Sequence, residues 1–301
     1  MNKIYTFLIH LYAKLYTCIN QFKISNNKNI KIALCCIAKC ENDYIKEFID
    51  YYRDLGVDKI FIYDNNDTSG EYIENVLEEE DKILCEIINY RGKKICQLTA
   101  YQECYTKYKY EYDWFLFFDC DEFLTFTHQK TIKEFLSLNK FKRQHIIHIN
   151  WMCYGDNNLI TNDGRKVTER FSNPIYPLDF KRQYNFPENN HVKSIVRGNL
   201  SCINWSCTPH TPISHFLSCC NPSGIKCDAN SPFCKYDFNV AYIRHYLTKT
   251  IEEWITIKQR RGYPDQDKHE YEKKLNIKEF FKVNRWSKDK QKIIDTFKEK
   301  K

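Results

Sequence analysis

A chain of 301 residues, 43% hydrophobic and 16% aromatic with only eight Gly and eight Pro, can bury a sizeable core, which excludes a disordered, collagen-like or low-complexity protein. Its formal charge of +7 is unevenly spread: residues 1–31 carry five lysines and no acids, residues 258–301 carry fifteen Lys/Arg against eight Asp/Glu, and the middle is acidic on balance. Basic ends of this kind suit peripheral contact with an anionic membrane surface or a phosphorylated lipid, and equally well a solvated helix face; no nucleic-acid partner is expected.

At the N-terminus, Ile4, Leu8, Leu11, Leu15, Ile19 and Phe22 recur at intervals of three and four, the spacing of an amphipathic helix. The segment 1–24 is expected to pack on the body or to lie in a membrane interface. His10 and Lys14 interrupt it, no apolar run of about 18 residues exists, and no secretory cleavage site follows, so a spanning helix is not expected. Fifteen cysteines, an odd number, include Cys35, Cys36 and Cys85 inside apolar runs. They read as small hydrophobes in a reducing cytoplasm, with the chain at most peripheral at the inner face of a membrane. Cys202, Cys207, Cys219, Cys220, Cys227 and Cys234, near His210 and His215, lack paired zinc spacing and read as loop thiols.

The run KIALCCI (31–37) predicts a buried parallel strand. Tyr44, Ile45, Phe48, Ile49, Tyr52 and Leu55 then keep a helical period, with Asn42 as cap and Gly56 at the end. KIFIY (59–63) is a second strand, followed by the polar turn DNNDTSG (64–70). A short helix near 72–77, a strand over 83–88, a helix over 95–108 and the strand WFLFF (114–118) continue the alternation. The pattern predicts an α/β fold with a mostly parallel, Rossmann-type sheet, right-handed crossovers, and ligands beyond the strands' carboxyl ends. Past Asn150 an irregular half is expected, and helices resume from Thr250.

Directly after WFLFF stand Asp119, Cys120, Asp121 and Glu122. In extended backbone, Asp119 and Asp121 project to one side, and two adjacent carboxylates repel unless a cation lies between them. Hard oxygen donors suit Mg²⁺ or Mn²⁺, which can stabilise charge on a departing diphosphate. A lone D-x-D is weak evidence; its delivery by a buried strand to an edge where other polar turns meet strengthens it.

The stretch from Ala33 to Gly70 (ALCCIAKCENDYIKEFIDYYRDLGVDKIFIYDNNDTSG) resembles the opening of glycosyltransferase family 92 and related family-2-like transferases: a strand, K-N-E, a helix and a Y-D-N-x-S/T-x-D turn. Asp113 to Leu124 (DWFLFFDCDEFL) is similar to that family's D-W-x-x-x-x-D-x-D-E-F-L. Gln97 and Ala100 fall where such proteins carry Q-x-x-A, and Trp151 to Gly155 and Glu169-Arg170-Phe171 resemble later signatures, so the resemblance covers residues 31–262. It implies a GT-A fold, a nucleotide-diphosphate-sugar donor and inversion at the anomeric carbon. It further implies Asp64 beside the base or ribose, Asp119 toward ribose and metal, Asp121 on the metal, and Lys39, Glu41 and Gln97 among the donor-binding positions. His245, in RHYLTKTIEEW, matches the family's H-Y-x-x-K/R-S/T and is expected as a third metal ligand, with Lys249 or Arg244 countering phosphate charge. Structural hydrogen bonding is the plain alternative for His245.

Inversion needs a general base, for which Glu169 and Asp156 are the candidates. Glu169 can instead pair with Arg165 or Arg170, and Asp156 can simply shape the turn at Gly155. His191, Lys193 and Arg197 are within sequence reach of the donor phosphates. Two departures stand out: Cys40 replaces the usual Asn, and Gly155-Asp156-Asn157-Asn158 replaces a glycine-serine loop.

The expected organisation is an amphipathic segment (1–30), a GT-A domain (31–262) whose 31–125 half binds the donor and whose 126–262 half faces the acceptor, and a basic helical tail (263–301). The acceptor is a glycan, a lipid-linked glycan or a polysaccharide such as lipopolysaccharide. A nucleotidyltransferase or an inactive carbohydrate-binding protein is the alternative. Oxidoreductase and P-loop readings fail because no strand is followed by a glycine-rich phosphate loop.

Overall fold

The computed structural model describes Leu11 and residues 30–175, 187–214, 217–267, 272 and 275–299. The expected amphipathic segment lies outside the described residues except for Leu11, as does His215.

Strand β1 (Ile32–Ala38) is buried along its whole length. Helix α1 (Asn42–Leu55) turns Tyr44, Ile45, Phe48, Ile49, Tyr52 and Leu55 inward and ends at Gly56, whose φ of 92° few other residues adopt cheaply. Asn42 is not its cap: Glu41 occupies that position without a side-chain bond, and Asn42 donates to the Tyr72 carbonyl at 3.0 Å. β2 (Lys59–Asp64) follows. The expected strand at 83–88 begins late, because a Glu78/Asp81 capping box starts helix α2 (Glu79–Leu84) and leaves β3 as Cys85–Asn89. Helix α3 (Gln97–Tyr108) leads to β4 (Trp114–Phe117).

These four strands form a parallel half-sheet in the order β3-β2-β1-β4. Alternation along β1 and β2 sorts their side chains to two faces. Leu34, Cys36, Ile60 and Ile62 pack with α1, whereas Ala33, Cys35, Phe61 and Tyr63 pack with Ala100, Tyr101 and Cys104 of α3.

Beyond β4 the sheet is mixed: most of its strand pairings are parallel, as expected, with two strands set antiparallel to their neighbours. The remaining elements are β5 (Glu122–Phe126), α4 (Ile132–Leu136), β6 (Ile146–Cys153), α5 (Val167–Arg170), β7 (Val192–Arg197), the short β8 (Ile203–Asn204), β9 (Ile213–Ser214) and β10 (Cys219–Cys220), and β11 (Ala241–His245). β7 runs antiparallel to both β4 and β6, β6 and β11 are parallel, and β5 closes the far edge antiparallel to β11. β5 therefore leaves the line of β4 through the turn at 118–121 and reappears across the sheet. That turn carries the acidic pair.

The C-terminal part runs as α6 (Ile251–Glu253), a π-helical turn (Trp254–Lys258), α7 (Gln259–Arg261), α8 (Ile277–Val283) and α9 (Lys288–Glu299). Ile251, Trp254, Leu275, Phe280 and Ile294 form its own small core. Among the described residues no helix is long and apolar enough to cross a membrane.

Candidate functional site

The carboxyl ends of β1 and β4 open on a cavity of about 450 Å³ lined by Lys39, Glu41, Gln97, Asp119 and Asp121, together with Trp151 of β6 and His245 of β11. The acidic pair is presented by a turn, closed by the Glu122 N–H donating to the Asp119 carbonyl at 3.0 Å, rather than by the extended backbone expected. Glu122, fully buried, holds this turn from below, accepting from the Asp119 N–H at 2.9 Å and from Trp151 Nε1 at 2.8 Å.

Asp119 is fixed on both oxygens. Oδ1 accepts from Gln97 Nε2 at 2.8 Å and from the Tyr101 hydroxyl at 3.0 Å, and Oδ2 lies 3.0 Å from Lys193 Nζ. Burial works against the charge of Lys193, but Asp119 and Glu122 outweigh it and leave its pKa raised. Asp121 is buried, with Lys258 Nζ and an Arg261 nitrogen each 3.5 Å from Oδ2 and His245 Nε2 3.7 Å from Oδ1. Burial opposes its ionisation as well, yet the surrounding charges, Lys258 foremost, lower its pKa. Burial drives His245 down to about 3, so its contact with Asp121 is that of a neutral ring, not an ion pair. The ring lies 4.1 Å from that of Trp151.

The other expected residues fall in several places. Lys39 lines the cavity and pairs with Asp67 at 3.2 Å. Cys40 beside it has a φ of 54°, a left-handed conformation that asparagine tolerates better than cysteine. Glu41 is buried against Arg261, with Lys249 Nζ 3.6 Å away. Lys249 belongs to a small adjoining hollow that also touches Asp121, and burial lowers its pKa to about 8. Asp64, at the end of β2, is buried and bound by Arg91 at 3.0 Å, and it is not part of the cavity wall.

The two candidate bases are not brought to the cavity. Asp156 is buried in an ion pair with Lys290, its N–H donating to Asn284 Oδ1 at 2.8 Å, and Glu169 is exposed on α5. Arg197 is bound to the Gln144 and Phe141 carbonyls, and Arg244 to Thr125. Of the three residues read toward the donor phosphates, His191 lines the cavity and Lys193 stands behind Asp119.

Sequence reasoning did not single out Glu188, Lys258, Arg261 and Asp265, all of which line the cavity. Oε2 of Glu188 is shut from solvent and has no hydrogen-bond partner among the described residues. Lys258 and Arg261 arrive through the π-helical turn, a distortion that often accompanies function. Their signal, two bases three residues apart in a charged helix, is indistinguishable in sequence from a solvated face. Among the described residues, no group of three or more His, Cys, Asp or Glu side chains is arranged to hold a metal ion. The cavity therefore offers two converging protein donors, Asp121 Oδ1 and His245 Nε2, ringed by cations.

The family model described as Glycosyltransferase family 92 matches residues 33–284. The chain is similar to glycosyltransferase family 92 proteins of Oryza sativa subsp. japonica (29% identity over 106 residues, 35% of this chain and 18% of that protein), Ricinus communis (30% over 112 residues, 37% and 19%) and Arabidopsis thaliana (31% over 126 residues, 39% and 21%). The match thus spans about a fifth of the length of these curated relatives.

Proposed function

The chain belongs to glycosyltransferase family 92, and from that premise we propose that it transfers a sugar from a nucleotide-diphosphate-sugar to a hydroxyl of a glycan, lipid-linked glycan or polysaccharide, with a divalent cation and with inversion. The observation that carries this reading is the meeting of Asp119, Asp121 and His245 with Lys39, Lys258 and Arg261 in one cavity.

The residues present fit a divalent cation. Asp121 Oδ1 and the neutral His245 Nε2 face each other at 3.7 Å, and Mg²⁺ or Mn²⁺ is commonly held by few protein donors together with substrate phosphates and water. Bound there, the ion supplies Lewis-acid stabilisation of the leaving diphosphate. Lys258 and Arg261 share the task of countering phosphate charge, since both already reach toward Asp121. Gln97, Tyr101 and Lys193 hold Asp119 in one orientation, so no reorganisation is needed when the donor arrives. Trp151, stacked at 5.0 Å on the His191 ring, forms a rigid apolar wall suited to the face of a sugar.

Removal of the acceptor proton falls in this reading to Glu188. It lines the cavity with an unpartnered oxygen, whereas Asp156 and Glu169 lie off its wall. The basic chain ends support peripheral contact with an anionic membrane, where a lipid-linked acceptor is met from the cytoplasmic side. Release of nucleoside diphosphate from a panel of nucleotide-sugars, with and without added Mn²⁺, tests the proposal; silence with every donor rejects it.

A further inference from the structure

Cys219, Cys227 and Cys234 gather in the 202–234 segment, and none of them lines the cavity. The sulfurs of Cys227 and Cys234 are 2.9 Å apart, and both residues are partly exposed. Two thiolates on one zinc ion stand about 3.8 Å apart, the tetrahedral edge for Zn–S bonds of ~2.3 Å. The pair is too close for that, and no three-donor metal group exists among the described residues. A disulfide needs an S–S separation of about 2.05 Å, which a side-chain adjustment of roughly 0.9 Å supplies.

We propose that Cys227 and Cys234 are a site of intramolecular disulfide formation. Cys234 donates its N–H to the Asn190 carbonyl at 2.9 Å, and Asn150 donates to the Cys234 carbonyl at 3.1 Å. Phe233 bridges to His191, their rings 4.7 Å apart. The crosslink closes the loop 227–234 on itself at a residue already bonded to the segments that carry Trp151, Glu188 and His191.

With glutathione disulfide as oxidant the step balances. One cysteine thiolate attacks a glutathione sulfur and expels glutathione thiolate, which takes up the proton. The second cysteine, deprotonated, then displaces the remaining glutathione, so two protein thiols become one disulfide and one glutathione disulfide becomes two thiols. Cys219 and burial push the Cys227 thiol up to about 12, and Cys227 with burial raises that of Cys234. A bond from Cys234 at Cys227 and the His148 ring near Cys234 favour the thiolates in part without offsetting the rise, so the reduced pair lacks the depressed pKa that makes some disulfides strong oxidants.

Cleavage after Lys226 and Lys235 isolates both cysteines in one tryptic peptide, CDANSPFCK. Full-length protein equilibrated with glutathione disulfide and then alkylated should yield this peptide two hydrogens lighter and unlabelled. A chymotryptic cut after Phe233 should leave its halves joined until reduction. The oxidised protein should melt roughly 5 °C higher than the reduced one, and Cys219→Ser should form the same link. Full alkylation of both cysteines after oxidation, a link from Cys227 to Cys219 instead, or zinc released on thiol modification overturns the proposal. It stands independently of transferase activity.

Discussion

Lys193 Nζ stands 3.0 Å from Asp119 Oδ2 with its side chain wholly buried, so one internal lysine fixes the first carboxylate of the acidic pair. Its removal strips the cation from Asp119 and from Glu122, 3.7 Å away. We expect Lys193→Met to lose about 3 kcal/mol of stability in urea titration and at least roughly tenfold in turnover, as Asp119 swings free of its set orientation. Unchanged stability and turnover would show that Lys193 does not position Asp119.

Arg170 and Glu253 form a second buried pair, with two parallel hydrogen bonds of 2.9 and 2.8 Å and the Tyr44 hydroxyl donating to Glu253 Oε1 at 2.7 Å. Burial works against the charge of Glu253, but bonds from Arg170 and Thr250 outweigh it and hold its pKa at about 2. A depressed carboxyl pKa contributes stability that is complete above the unfolded value of about 4.3 and lost as pH falls through the folded one, roughly 3 kcal/mol here. Wild type should thus weaken steeply between about pH 4.5 and pH 2. Glu253→Gln should be less stable at pH 7 by about 3 kcal/mol and flatter across the acid range. Parallel acid slopes for the two proteins count against the pair.

Glu188→Gln should cut transfer by about 10²-fold or more while leaving donor binding within about twofold. Glu169→Gln, on an exposed residue, should change transfer by less than about twofold, and Asp156→Asn should act through stability by breaking the pair with Lys290. Burial raises the Asp265 carboxyl, and it lines the same cavity. Normal transfer by Glu188→Gln with loss in Asp265→Asn would move the base to Asp265.

The half spanning 31–125 was legible because its signals are local. KIALCCI, the 42–55 helical period and WFLFF each report burial within one element, and β1, α1 and β4 follow them closely. The acidic pair was found by position, although its turn geometry depends on Glu122 reaching back to the Asp119 N–H, which extended-strand reasoning does not supply. The rest of the site is non-local. Asp121 meets Arg261 across 140 positions and Lys258 across 137, and neither contact leaves a periodicity in either segment. Asp156 and Glu169 are drawn in by motif proximity, whereas Glu188, whose Oε2 is buried without a hydrogen-bond partner among the described residues, sits in a polar loop with no pattern of its own.

The role proposed for Asp121, with His245 opposite, is to serve a donor diphosphate. Its most direct measurement is release of nucleoside diphosphate from the active nucleotide-sugar, with Mn²⁺ and after chelation, in wild type and Asp121→Asn, each checked for intact fold by circular dichroism. Wild type should show Mn²⁺-dependent release, and the folded variant should lose at least about 10²-fold. Equal release by both proteins, or release untouched by chelation, contradicts it.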